Sequence, residues 1–143
     1  IKQADAIILG PGSLYTSLIP NLLVKDITMA ISESKAKKIY VVNVMTQPGE
    51  TDGYKASDHV KAVINHSSSS VMDFVIINSG QIPDYLVSRY LSDGATPVDC
   101  DREVIEAMGY RTVTAPVISP TDVVRHSPEL LAKVIMKLIW EYS

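Results

Sequence analysis

The sequence predicts an α/β fold, a mostly parallel sheet with helices on both faces. Short runs rich in β-branched residues recur along the chain with helical patterns between them, the alternation that βαβ crossovers require. Three of the runs, Ala6-Ile7-Ile8-Leu9, Ile39-Tyr40-Val41-Val42 and Phe74-Val75-Ile76-Ile77, are continuous rather than alternating. Continuous apolar runs mark strands covered on both faces.

The first run leads into a loop with two glycines and four hydroxyls, Gly10 to Ser17, and a helix is expected to begin near Pro20. Leu23, Ile27, Ala30 and Ile31 then recur at one-face helical spacing. After the second run a polar stretch from Asn43 to Tyr54 shows no helical character until Ser57, a cap candidate followed by Val60, Val63 and Ile64. Ser67 to Ser70 reads as a surface loop before the third run. Pro83 opens a helical segment carrying Leu86 and Tyr90, and Gly94-Ala95-Thr96-Pro97 is a connector. Gly109 sits where a helix C-terminal cap belongs, just before a fourth run, Thr112-Val113-Thr114-Ala115. Ser127 and Pro128 are an N-cap and first helical position for Leu130, Leu131, Val134, Ile135, Leu138 and Ile139.

Composition narrows the function. With 143 residues, 46% hydrophobic and 20% charged, the chain has the makeup of one globular domain. Such a domain buries about two-thirds of the surface its unfolded chain exposes, so it needs no disulfide or metal to hold a core. The net charge of -3, with both signs mixed along the chain, argues against nucleic-acid binding by bulk electrostatics. An anionic ligand would have to be held by local geometry. The single cysteine, Cys100, rules out an intrachain disulfide and points to a reducing cytoplasm. Apolar runs fall far short of the roughly 20 residues of a membrane helix, so no membrane insertion is expected. No signal peptide is legible, and the chain opens on Ile1, one step before a strand, as a piece cut from a longer polypeptide would.

Ligands of open α/β sheets bind outside the carboxyl ends of the strands, so the residues just after each strand matter most. In the first such loop, Gly10, Pro11, Gly12, Ser13, Thr16 and Ser17 suit a phosphate, because glycines admit backbone N–H groups close to an anion and hydroxyls donate further bonds. The loop lacks the third glycine of a dinucleotide fingerprint and the Lys of a P-loop, and a tight strand-to-helix turn would look the same. The second strand delivers Asn43, Thr46 and Gln47, and the third Asn78, to the same edge, where they could read the polar edges of a base or sugar or cap their own turns. Arg125 precedes the last helix, and its planar fork suits phosphate oxygens; the alternative is an exposed arginine paired with Asp122 or Glu129. Glu50 and Asp52 could hold magnesium or simply solvate their loop. His59 reads as solvated and His66 as a helix-end residue, so no histidine metal site is specified. Neither Ser13 nor Ser17 sits in Gly-x-Ser-x-Gly, which removes the nucleophile elbow of a hydrolase. No catalytic residue is identified.

The run Gly10-Pro11-Gly12-Ser13-Leu14-Tyr15-Thr16-Ser17, with Ile19-Pro20-Asn21-Leu22-Leu23-Val24 after it, resembles the CofD-like family, in particular its gluconeogenesis-factor branch. Asn43 to Tyr54, then Ala56-Ser57-Asp58-His59-Val60, and Val124-Arg125-His126 fit the same branch. The resemblance implies a Rossmann-like nucleotide-binding domain of which residues 1–143 are the C-terminal part, without the family's first phosphate loop. It also implies one of two activities. The gluconeogenesis-factor branch is associated with UDP-sugars such as UDP-N-acetylglucosamine, cell-wall synthesis and cell shape on gluconeogenic carbon sources, which makes a regulatory binding protein the leading expectation. The transferase branch moves a phospholactyl group from a nucleotide-diphosphate carrier to a deazaflavin, with magnesium, in coenzyme F420 synthesis. Gly-Pro-Gly-Ser-Leu stands here where the transferases typically carry a Gly-Pro-Ser-Asn-Pro type of loop, a departure that favours the non-transferase branch. Homo-oligomerisation through an open sheet edge is a third expectation.

Overall fold

In the computed structural model, which describes residues 1–120 and 123–142, the four apolar runs form strands β1 (Ala6–Leu9), β2 (Lys37–Val41), β3 (Phe74–Asn78) and β4 (Arg111–Ala115). They lie side by side in sequence order and every pairing is parallel. Parallel neighbours need crossovers. These are α1 (Ile19–Leu22) with α2 (Lys25–Glu33), then α3 (Ala56–Asn65), then α4 (Asp84–Ser92) with α5 (Arg102–Ala107). Crossovers of one hand running in one direction across a sheet place their helices on one face. Accordingly Leu9, Tyr40, Val42, Val75 and Ile77 pack with Leu22, Ile31, Val60, Val63 and Ile105.

Because side chains alternate along a strand, the residues between these point the other way. Ile39, Val41, Phe74 and Ile76 lie beneath α6 (Pro128–Glu141), which contributes Leu131 and Leu138. The central strands are therefore covered on both sides, as their continuous runs predict. β1 departs from that expectation. It is an edge strand, and Ile8, facing the α6 side beside Ile39, is 37% exposed.

Ser127 caps α6, its hydroxyl accepting the Leu130 N–H at 3.3 Å, and Pro128 follows at the first helical position. Gly109, at φ +95°, ends α5 in the left-handed region that favours glycine. Ser57 is not a cap. α3 begins one residue earlier, and Ser57 uses its hydroxyl and backbone N–H to bond the Asp101 carboxylate at 2.6 and 2.8 Å, tying α3 to the start of α5. Some elements escape sequence reading: the π-helical turn Leu14–Leu18 in the glycine loop, the 3-10 turn Ser69–Val71 in the serine loop, and the antiparallel pair β5 (Ile118–Pro120) and β6 (Val124–His126), each too short to show a period. Among the described residues no helix is long and apolar enough to cross a membrane, and Cys100 is a free, exposed thiol.

Candidate functional site

Since β1 and β2 are neighbours, the loops leaving their carboxyl ends meet. Two hydrogen bonds join them: Gln47 Nε2 donates to Ser13 Oγ at 2.8 Å, and the hydroxyls of Tyr15 and Tyr54 lie 2.8 Å apart. The hydrogen bond shared with Tyr54, aided by burial, pushes the Tyr15 phenol up to about 12, so it stays protonated at neutral pH. The long loop after β2 is itself tightly folded. Thr51, fully buried, accepts the Gln47 N–H on its hydroxyl at 2.8 Å and returns its own N–H to the Gln47 carbonyl at 2.9 Å. Thr46 is zipped to Thr96 in the connector after α4, donating its N–H to that carbonyl and accepting the Thr96 N–H on Oγ1, each at 2.8 Å.

Opposite these loops stands the β5–β6 pair. Together they enclose a cleft of about 940 Å³, of the size small-molecule sites have. Pro11, Gly12 and Ser13 line one side, Asn43, Thr46, Gln47 and Glu50 another, and Arg125 and His126 the third, with Tyr90 and Asp93 at the end of α4. Seven of the residues suited in the sequence to phosphate, base or sugar, together with the magnesium candidate Glu50, thus share one cleft. Arg125 is exposed there and makes no ion pair among the described residues; Glu129 is paired with Lys133 at 2.7 Å, and Asp122 lies outside the described residues.

The remaining candidates sit elsewhere. Gly10 and Ser17 line a separate hollow against α1 and α2, and Thr16 is exposed outside the cleft. Asn78 lies at the neighbouring strand end and shares a smaller hollow with Asn43, but its side chain is engaged in its own turn. Its Nδ2 donates to the Gly80 carbonyl at 3.0 Å, while Oδ1 accepts from Gly80 and Val117 N–H groups at 2.9 and 3.2 Å. His59 is the clear correction. Expected in solvent, it is fully buried, its Nδ1 bonded to the Lys55 carbonyl at 2.9 Å and its ring edge-on to Tyr54. Its position on the inner face of α3 follows from the same spacing that buries Val60 and Val63.

Asp52 accepts the Gly49 N–H at 2.8 Å outside the cleft, leaving Glu50 and Asp93 as its carboxylates. No three His, Cys, Asp or Glu side chains gather among the described residues, so these acids form no protein-only cage, and magnesium here would draw its other oxygens from phosphate and water. Sequence reading gave Tyr90 no role beyond a helix face; its hydroxyl accepts the Val124 N–H at 3.1 Å and so ties α4 to β6 beside the cleft.

A second hollow, about 710 Å³, lies at the amino edge of the sheet and is lined by Lys35, Lys37, Lys38 and Arg111. Three of these cations have partners near helix C-termini: Lys38 Nζ donates to the Ser34 carbonyl at 3.3 Å, Lys37 Nζ to that of Tyr142, and Arg111 lies over the Phe74 and Tyr142 rings. They complement the helix dipoles.

The family model described as 2-phospho-L-lactate transferase CofD matches residues 1–118. The chain belongs to the CofD family. Its relatives include the gluconeogenesis factor of Bacillus subtilis strain 168, 44% identical over 142 residues, 99% of this chain and 45% of that protein. The gluconeogenesis factor of Halalkalibacterium halodurans is 42% identical over 138 residues, 96% of this chain and 43% of that protein. A crystal structure of a UPF0052 family member from Bacillus halodurans superposes with a TM-score of 0.92 at 41% identity, covering 94% of this chain and 44% of that one. The chain therefore spans less than half the length of these relatives. Both loops that meet at Ser13 and Gln47 fall within the CofD match, whereas Arg125 and His126 lie beyond its end.

Proposed function

We propose that this chain forms the C-terminal part of a cytoplasmic regulatory protein that binds a nucleotide sugar of the UDP-N-acetylglucosamine type and serves cell-wall synthesis and cell shape on gluconeogenic carbon sources. The observation that carries this reading is the cleft at the carboxyl edge of the sheet. A glycine loop with a hydroxyl, a set of amide and carboxylate side chains, and a guanidinium without an ion pair among the described residues converge on one space large enough for such a ligand. Ser13 makes its hydrogen bond to an amide, Gln47, and not to a base, so the loop suits holding phosphate better than attacking it. The names of the relatives support the regulatory branch.

A second reading is favoured by the description of the matching family, a phospholactyl transferase. Such a transfer is driven by positioning and charge stabilisation and needs no dedicated nucleophile. Thermal-shift titration of the full-length protein separates the two. Stabilisation by a UDP-sugar, but not by GDP or a deazaflavin, is the expected result; turnover of a phospholactyl carrier would overthrow the regulatory reading.

A further inference from the structure

Buried polar side-chain atoms without a hydrogen-bond partner are scarce in folded proteins, because water has been removed from them and nothing replaces it. Among the described residues five occur: Ser32 Oγ, Gln47 Oε1, Glu50 Oε2, His59 Nε2 and His126 Nε2. Three of the five, on Gln47, Glu50 and His126, belong to residues lining one cleft, that between the two site loops and β6. That coincidence points to a ligand.

The three atoms also differ in chemistry, and the difference describes what the ligand must present. Glu50 offers a carboxylate oxygen, an acceptor only. Gln47 is oriented by its Nε2 bond to Ser13, which leaves its carbonyl oxygen as a second acceptor from the same loop. His126 comes from the opposite wall, in β6 beside Arg125, with its ring donating a hydrogen bond to the Val42 backbone. The cleft thus has an acceptor wall and a cationic wall. A bare phosphate would satisfy only the second, and an uncharged sugar only the first.

We propose that the cleft reads the junction between sugar and phosphate, Glu50 and Gln47 accepting hydrogen bonds from sugar hydroxyl or amide N–H groups while His126 Nε2 donates to a phosphate oxygen next to Arg125. The proposal rests on the nucleotide-sugar reading and adds to it two recognition residues, Glu50 and His126, and a proton. Burial holds the free His126 ring below its ordinary value of 6.5, against the opposing Val42 hydrogen bond, so near neutral pH Nε2 is unprotonated before binding. A phosphate placed against it favours the charged form, and the complex takes up a proton from solution. The other charged and titratable groups lining the cleft are Arg125 on the same strand, which opposes that charge, Glu50 from the loop after β2 and Asp93 after α4, which favour it, and the Tyr90 phenol.

The test is calorimetric titration of the full-length protein with UDP-N-acetylglucosamine and with UDP, in the presence of EDTA, in buffers of different ionisation enthalpy at about pH 6.5 and 7.5. The parent is expected to take up protons on binding, and His126→Gln to abolish the uptake. Glu50→Ala is expected to weaken the sugar nucleotide by about ten- to a hundredfold and to leave UDP unchanged, with Glu50→Gln, which keeps one acceptor oxygen, in between. Thermal melts confirm that each variant folds, and the proton count of the parent stands even where a variant does not. Binding without proton uptake, or equal effects of Glu50→Ala on UDP and on the sugar nucleotide, overturns this proposal and leaves the broader reading intact. A parent that binds no UDP-sugar overturns both.

Discussion

Gly10 and Gly12 look alike in the sequence and play different parts in the structure. Gly10 has φ +83°, and a Cβ there would lie 3.2 Å from the Val41 carbonyl oxygen, so it is required by the fold. Gly12 has no such φ, and its Cβ would meet only Ser17 Cβ, at an ordinary 3.5 Å, while the residue lines the cleft. Gly10→Ala is therefore expected to cost about 1–2 kcal/mol of stability, from the left-handed backbone alone. Gly12→Ala should change stability by less than about 0.5 kcal/mol, as most substitutions outside the core do. Urea unfolding reads both, and equal losses would contradict the division. Gly12→Val, with its branched side chain in the cleft, is expected to abolish UDP-sugar binding in a folded protein. Arg125→Ala should weaken that binding by about ten- to a hundredfold, one charge-assisted hydrogen bond to phosphate, and Arg125→Lys should restore only part because it lacks the bidentate fork. If both arginine variants titrate like the parent, Arg125 is a surface residue.

At the scale of elements, the two loops are held by their own hydrogen bonds around the cleft. The loop after β2 spends its backbone groups on Thr51 and Thr96, and the glycine loop spends its carbonyl at Ser13 on the N–H groups of Ser17 and Leu18. Preformed geometry of this kind reduces the ordering cost of binding. α6 is the element whose formation the sequence states most openly. Its cap is also its weak point: Ser127→Ala removes the acceptor of the Leu130 N–H and is expected to cost about 1 kcal/mol, seen as a lower urea midpoint with an unchanged m-value. A neutral result would mean that water replaces the cap at no cost.

For the whole molecule, acid stability depends on the packing of α3 against the site loops. His59 is fully buried, and burial holds it below its ordinary 6.5 despite the Lys55 hydrogen bond. A histidine with a depressed folded-state value favours folding while neutral. Its contribution is complete above about 6.5 and is lost as pH falls through the folded-state value. The melting temperature should be flat from about pH 8 to 7 and fall below about 6.5, and His59→Gln should flatten that fall. An equally steep decline in the variant would place the acid sensitivity elsewhere, with His126, which shifts in the same direction, the next candidate.

The sequence by itself determined the layers of this molecule. Apolar runs of four residues and apolar residues at helical spacing are local signals, and Ile39 to Val42, Phe74 to Ile77 and the face of α6 carry them openly, as Ser127-Pro128 does for a helix start. The glycine loop and the polar loop after β2, which the structure brings to one cleft, stood out for the same reason: each is a contiguous stretch of unusual composition following a strand. Only the tertiary structure decided which polar groups are free to act. Asn43 and Asn78 are equivalent as sequence, yet the side chain of Asn78 is consumed by Gly80 and Val117. Tyr90 carries no local signal, and Glu50 and His126 stand out in the sequence only as a magnesium candidate and as part of a family run; all three reach the cleft because the strand order sets two loops side by side and two three-residue strands, β5 and β6, pair opposite them. Hydrogen-bond satisfaction is a property of neighbours distant in sequence, so a partnerless oxygen on Glu50 or nitrogen on His126 exists only once the chain has folded.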